Sequence, residues 1–178
     1  PLVVTLSNGQ VLTIPVNQSS VTGTPVTVRP DDVQAQGNQT VAVSISSTTG
    51  GNYEAVTATS SASTIVTDDA DSTTLTLTAS ASSVAEGGSI IYTATLNNAV
   101  AGSPLVLTLS NGQTITIPVG QSSGSSAAFS VRADDAYVQG TDTLNVTVSG
   151  RSGGTFEAVA NTSSASTTVT DDADAAII

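Results

Sequence analysis

The 178-residue chain carries three Arg and no Lys against fourteen acidic residues, for a formal net charge of −11, and it has no His, Cys, Met or Trp. Without imidazole or thiol there is no His base, no Cys nucleophile, no soft-metal ligand set and no disulfide, which excludes most hydrolase triads and zinc sites and leaves an enzyme only a carboxylate mechanism. The charge argues against nucleic acid or an anionic membrane as partner, because neutralising phosphates takes Lys and Arg, and it makes divalent cations the natural partners.

Ser and Thr make up about a third of the chain, and the apolar runs are only a few residues long, so no segment is expected to insert into a membrane. The absence of Lys also excludes Lys-to-Asn isopeptide crosslinks as a source of stiffness. An internal repeat decides the architecture. Leu6-Ser7-Asn8-Gly9-Gln10 returns as Leu109-Ser110-Asn111-Gly112-Gln113, and Thr13-Ile14-Pro15-Val16 returns as Thr116-Ile117-Pro118-Val119, both at an offset of 103. The offset holds without a gap through Arg29, Asp31 and Asp32 (matching Arg132, Asp134 and Asp135) to the acidic ends Asp68-Asp69-Ala70-Asp71 and Asp171-Asp172-Ala173-Asp174. Residues 1–71 then read as a truncated repeat holding strands C to G, 72–174 as a complete seven-stranded repeat, and 175–178 as the start of a further one. The chain is expected to be a window on a longer tandem array, with the first repeat an open half-sandwich.

Within the complete repeat, apolar and polar residues alternate with the period of two that marks strands, and no helical period occurs. Strand A is expected at 73–79 with Leu75 and Leu77 inward, and strand B at 89–97 with Ile90, Tyr92, Ala94 and Leu96 inward. C is expected at 105–110, D at 113–119, E at 126–132 and F at 143–149, with G ending at Thr170. Asn111-Gly112 between C and D is a two-residue hairpin signal, since both residue types tolerate positive φ. Seven short strands in about 100 residues fit an all-β, immunoglobulin-like antiparallel β-sandwich, here without the Cys pair and Trp of antibody domains.

Strand parity then gathers the acidic residues. In an up-and-down traverse, the AB connection, the CD hairpin, the EF connection and the end of G lie at one pole. Glu86 falls in AB, Asp134 and Asp135 open EF, and Asp171, Asp172 and Asp174 follow G. Like charges about 4 Å apart cost on the order of 4 kcal/mol at an effective dielectric of 20, so six carboxylates at one pole need a cation among them. An all-oxygen, flexible set suits Ca²⁺ better than Mg²⁺, which holds to an octahedral shell and keeps its waters. The same reading assigns Asp31, Asp32, Asp68, Asp69 and Asp71 to an equivalent site in the first repeat. That site lacks its Glu, which would fall before residue 1, and it is expected to bind Ca²⁺ less completely. Glu54 and Glu157 belong to the FG connection at the other pole and are left out, and Asp142 is a weaker candidate. Each acidic segment alone reads as a solvated turn or linker; it is the convergence of three segments that points to a metal.

The set Glu86, Asp134-Asp135, Asp171-Asp172 and Asp174 resembles the calcium ligands of Calx-beta domains. The whole repeat, with Val84-Ala85-Glu86-Gly87-Gly88, the Ser-Asn-Gly-Gln hairpin, the Gly-Gly-x-[Tyr/Phe]-Glu-Ala segment and the Val-Thr-Asp-Asp-Ala-Asp end, is similar to the extender repeats of giant bacterial RTX adhesins. The glycine-rich nonapeptides of RTX proteins are absent, as expected of the central repetitive region. That resemblance implies secretion by a Gram-negative cell, an outer-membrane-associated surface location and a part in biofilm attachment. The expected function is a calcium-stiffened spacer, with no catalytic residues, whose partners are calcium ions and neighbouring repeats. The rival reading is a module that itself contacts carbohydrate, protein or abiotic surfaces, and against it stands the lack of an aromatic cluster for sugar stacking. A glycosidase using Asp134 and Asp171 is disfavoured because the pole is a junction and not a cleft.

Overall fold

The computed structural model describes residues 1–161 and 163–175, and every regular element in them is a β-strand. Among the described residues no helix is long and apolar enough to cross a membrane. The chain divides into two units, Pro1–Asp31 with Gln36–Asp69, and Asp32–Ala35 with Ala70–Ile178.

The first unit is a four-stranded antiparallel sheet of β1 (Leu2–Leu6), β2 (Val11–Ile14), β3 (Gln39–Gly50) and β4 (Ser61–Val66), ordered β2-β1-β3-β4. Alternation sends Val4 inward, where it is 7% exposed, but its neighbours Leu2, Leu6, Leu12 and Ile14 are only half-buried. Leu2 and Ile14 line a cavity of about 560 Å³ together with Pro15, Val16 and Tyr53.

The second unit holds β5 (Ser72–Ala79), β6 (Ser83–Ala85), β7 (Ser89–Ile90), β8 (Tyr92–Leu96), β9 (Leu105–Leu109), β10 (Thr114–Ile117), β11 (Ser123–Ser125), β12 (Phe129–Ser130), β13 (Asp142–Ser152), β14 (Ala158–Asn161) and β15 (Ser164–Thr170). One sheet runs β10-β9-β13-β15-β6, a second runs β11-β8-β5-β14, and β12 pairs with β7. The inner faces meet in a core of Leu75, Leu77, Ile90, Tyr92, Ala94 and Leu96 from one side and Leu105, Leu107, Leu109, Ile115, Ile117, Val146 and Ala165 from the other. This is a β-sandwich, and the residues that alternation turns inward on β5 and β8 are the buried ones. Thr fills the solvent side of β5, where a β-branched polar residue suits a pleated surface. Val100 closes one end of the core at 2% exposure, exchanging backbone hydrogen bonds with Gln121 and Gly120 at 2.8 Å each.

The structure departs from simple alternation in three places. Strand A changes sheets: β5 pairs antiparallel with β8, and after a step at residues 80–82 the chain continues as β6, parallel to β15. Thr167 Oγ1 donates to the Ala81 carbonyl at 2.8 Å and secures that step. A second parallel pair joins β14 to β5. The expected continuous strand B is broken at Ile91, because β7 pairs with β12 while β8 pairs with β5 and β11. Of strand E, expected at 126–132, only Phe129–Ser130 forms a strand, and β11 lies ahead of it at Ser123–Ser125. The hairpin between β9 and β10 also differs from the two-residue form. Gly112 N–H donates to Leu109 O and Leu109 N–H to Gln113 O, both at 2.9 Å, and only Gly112 is left-handed, with φ 82°. That makes a three-residue loop in which Asn111 keeps negative φ and its side chain accepts from Gln113 N–H at 3.2 Å.

Candidate metal centre

The change of sheet by strand A builds the pole of the second unit. Because β6 runs beside β15, its exit puts Glu86 N–H on the carbonyl of Thr170 at 3.0 Å, one residue before the acidic run. Gly87 then turns the chain with φ 71° and donates its N–H to Arg132 O at 2.9 Å. A Cβ on Gly87 would come within 2.9 Å of Asp134 Cβ, so the glycine sets how closely the Glu86 turn and the Asp134 loop approach. Gly87→Ala is expected to cost about 1–3 kcal/mol, from left-handed strain and displacement of Asp134, as a lowered midpoint in chemical denaturation.

Carboxylate oxygens of Glu86, Asp134 and Asp172 all lie within 4.8 Å of one another. They come from the turn after β6, the loop after β12 and the segment after β15, three stretches far apart in sequence. Asp134 and Asp172 are exposed, whereas the Glu86 side chain is 0% exposed. One oxygen of Glu86, Oε2, accepts from Arg132 Nε at 2.9 Å, and the other, Oε1, is buried without a hydrogen-bond partner among the described residues. Burial is the main cause that pushes the Glu86 carboxyl above the usual range, with Asp171 adding to the rise and Arg132 opposing it. Asp174 is also pushed up, first by the charge of Asp172, then by Asp134, burial, Asp135 and Asp171, which places it in the field of the same group.

Asp135 and Asp171 have other occupations. Asp135 accepts from Tyr137 N–H at 2.9 Å and from the Gln139 side-chain amide, and so shapes its own loop. Asp171 Oδ2 accepts from Gln139 N–H at 2.8 Å, while Oδ1 lies 3.7 Å from Arg132 NH2 and is buried without a hydrogen-bond partner among the described residues. Asp142 opens β13 and accepts from Thr143 N–H at 2.7 Å. In the first unit, carboxylate oxygens of Asp31 and Asp69 lie within 4.8 Å, and Asp68 pairs with Arg29 at 3.1 Å. Asp32 and Asp71 fall in the second unit, where Asp32 accepts from Gln34 N–H at 2.8 Å and Asp71 N–H donates to the Glu157 carboxylate.

Arg132 and Gln139 organise the pole and escaped the reading of the sequence. The signal was present for the arginine: two of the three cations in the chain, Arg29 and Arg132, stand 103 residues apart and three residues or fewer before the acidic pairs.

A donor set made only of carboxylate oxygens, with a buried oxygen that has no partner, fits a hard divalent cation. Fold and pole together define an all-β sandwich protein with a carboxylate-lined pole. The family model described as the LapA domain matches residues 1–69 and 71–172, and the chain belongs to that family. LapA is a large adhesin involved in biofilm, and a cell-surface setting goes with such a family. Comparison with curated proteins and with solved structures returns no match.

Proposed function

We propose that the chain is a calcium-stiffened spacer segment of a secreted bacterial surface adhesin, which holds a distal ligand-binding region away from the outer membrane. The observation that carries this reading is the buried Glu86, whose Oε1 has no hydrogen-bond partner among the described residues and whose carboxylate gathers with those of Asp134 and Asp172. Glu86, Asp134 and Asp172, with Asp174 beside them, would hold the ion. A bound Ca²⁺ supplies positive charge and directional oxygen coordination, with no chemistry of its own. The protein's part is to bring three loops to one place and to make the segment leaving β15 a participant in that contact. An ion there ties this segment to the turn after β6 and the loop after β12, which stiffens the exit from the unit. The work is mechanical and needs no catalytic group, and the partners are calcium and neighbouring repeats.

Calorimetric titration of the metal-free chain with CaCl₂, paired with small-angle scattering in calcium and in EDTA, tests the proposal. Saturable binding that is weakened in Glu86→Gln and Asp172→Asn, together with a longer and stiffer envelope in calcium, is the expected result. The same envelope and no heat of binding would overturn it.

A further inference from the structure

We infer that the acidic pole is two devices and not one: Arg132 and Asp171 form a clamp that closes without a metal, and the cation is left to Glu86, Asp134, Asp172 and Asp174. This rests on the calcium reading of the pole for its second half only.

Arg132 spends its guanidinium on three separate segments. Nε donates to Glu86 Oε2 at 2.9 Å, NH1 donates to the carbonyl of Gly140 at 2.7 Å, and NH2 faces Asp171 Oδ1 at 3.7 Å. Asp171 closes the ring by accepting from Gln139 N–H at 2.8 Å. The start and end of the loop from Arg132 to Gly140 are thereby fastened to each other and to the residue that follows β15. Asp171 Oδ2 takes a backbone N–H, and Oδ1 has the guanidinium charge 3.7 Å away without a hydrogen bond, so the carboxylate is held in place and its charge is offset in part inside the protein.

The first unit supplies independent support. Arg29 NH1 donates to Gly37 O at 2.5 Å, Arg29 NH2 lies 3.1 Å from Asp68 Oδ1, and Gln36 N–H donates to Asp68 Oδ2 at 2.6 Å. These are the counterparts of Arg132, Gly140, Asp171 and Gln139, each 103 residues earlier. Within the acidic run, Asp171 lies beside Arg132, Asp172 gathers with Glu86 and Asp134, and Asp174 lies in the field of Asp172.

Arg132 is accordingly a positioning residue. It holds Glu86 by Oε2 and leaves Oε1 for the ion, and it orders the loop that carries Asp134 before any ion arrives. The test uses the whole chain, with melting followed in EDTA and in CaCl₂, and with calorimetric ion counting at a temperature where every variant is folded. Arg132→Gln and Asp171→Asn are expected to lower the melting temperature in EDTA and, because the ligand loop is no longer ordered before the ion arrives, to lower it further in calcium, so that the calcium-induced rise becomes smaller while the number of ions stays unchanged. Arg132→Lys, which keeps one of the three contacts, falls between wild type and Arg132→Gln. Asp172→Asn differs in EDTA: it leaves the EDTA melting temperature unchanged or raised, and it weakens calcium binding by about tenfold or more.

A merely structural arginine would shift both melting temperatures equally, and that result overturns the clamp. Loss of an ion in Asp171→Asn, or an affinity loss equal to that of Asp172→Asn, makes Asp171 a ligand and overturns the division. If the wild type binds no calcium, the functional reading and the ligand half fall together, while the EDTA melting of Arg132→Gln still decides the clamp.

Discussion

Ile115→Ala is expected to destabilise the second unit by about 2–5 kcal/mol, the range for emptying a large aliphatic side chain from a packed core. Ile115 sits on β10 at 0% exposure, against residues from both sheets. Its replacement removes transfer free energy and leaves a cavity that the β-ladders on either side cannot collapse around. The counterpart on β2 is Leu12, which is only half-buried, and Leu12→Ala is expected to cost well under half as much. Chemical denaturation followed by circular dichroism reads both variants as changes in midpoint at constant slope. Equal losses would show that the two sheets are packed alike, against the contrast in burial. The core has few aromatics to spare, Tyr92 and Phe129 making its one ring pair among the described residues at 6.5 Å, so one aliphatic deletion is a large share of its stability.

The second large effect is the response of the pole to calcium and protons. A site filled at one hundred times its dissociation constant adds about 2.7 kcal/mol. At roughly 4–8 °C per kcal/mol for a domain of this size, calcium is expected to raise the melting temperature of the second unit by about 10 °C or more. Protons act oppositely in the two states. Without metal, the carboxyls of Glu86 and Asp174 are held above their ordinary values, by burial and by neighbouring carboxylates respectively. A carboxyl raised on folding binds more protons in the folded chain, so its contribution to stability is complete below the unfolded value and lost as pH rises through the folded one. The metal-free protein should therefore gain stability when pH falls from neutral toward the ordinary carboxylate range. With calcium present the same acidification should destabilise it, because protons compete for the ligands. Melting curves across that range in both conditions check the sign. Glu86→Gln, which cannot titrate, is expected to flatten the metal-free response. A metal-free protein that loses stability throughout the range would contradict the raised carboxyls.

Much of the fold is legible in the chain because strand patterning is local. Ser72–Ala79 reads outward and inward in strict turn, and Leu75 and Leu77, which the alternation marks as inward, are buried, as is Thr73 on the same face. The step of strand A from one sheet to the other is not legible. Nothing in Ser80-Ala81-Ser82 distinguishes a sheet change from a turn; what fixes it is the ladder that Ser83–Ala85 finds on β15. The break in strand B and the shortening of strand E to Phe129–Ser130 have the same origin, since a pairing partner is chosen by distant chain.

The pole divides along the same line. Composition and repeat were sufficient to point to carboxylate oxygens and to exclude nitrogen and sulfur ligands, because the chain contains no others to offer. Strand parity was sufficient to send Glu86, Asp134 and the run after β15 toward one end. Which carboxylates face one another was decided only by tertiary structure. Asp171 and Asp172 are neighbours of identical chemistry, yet Asp171 is held by Gln139 N–H beside Arg132, whereas Asp172 gathers with Asp134 and Glu86. The physical reason is that a side chain's charge is written in its own residue, while its compensation depends on which strands the backbone brings alongside it.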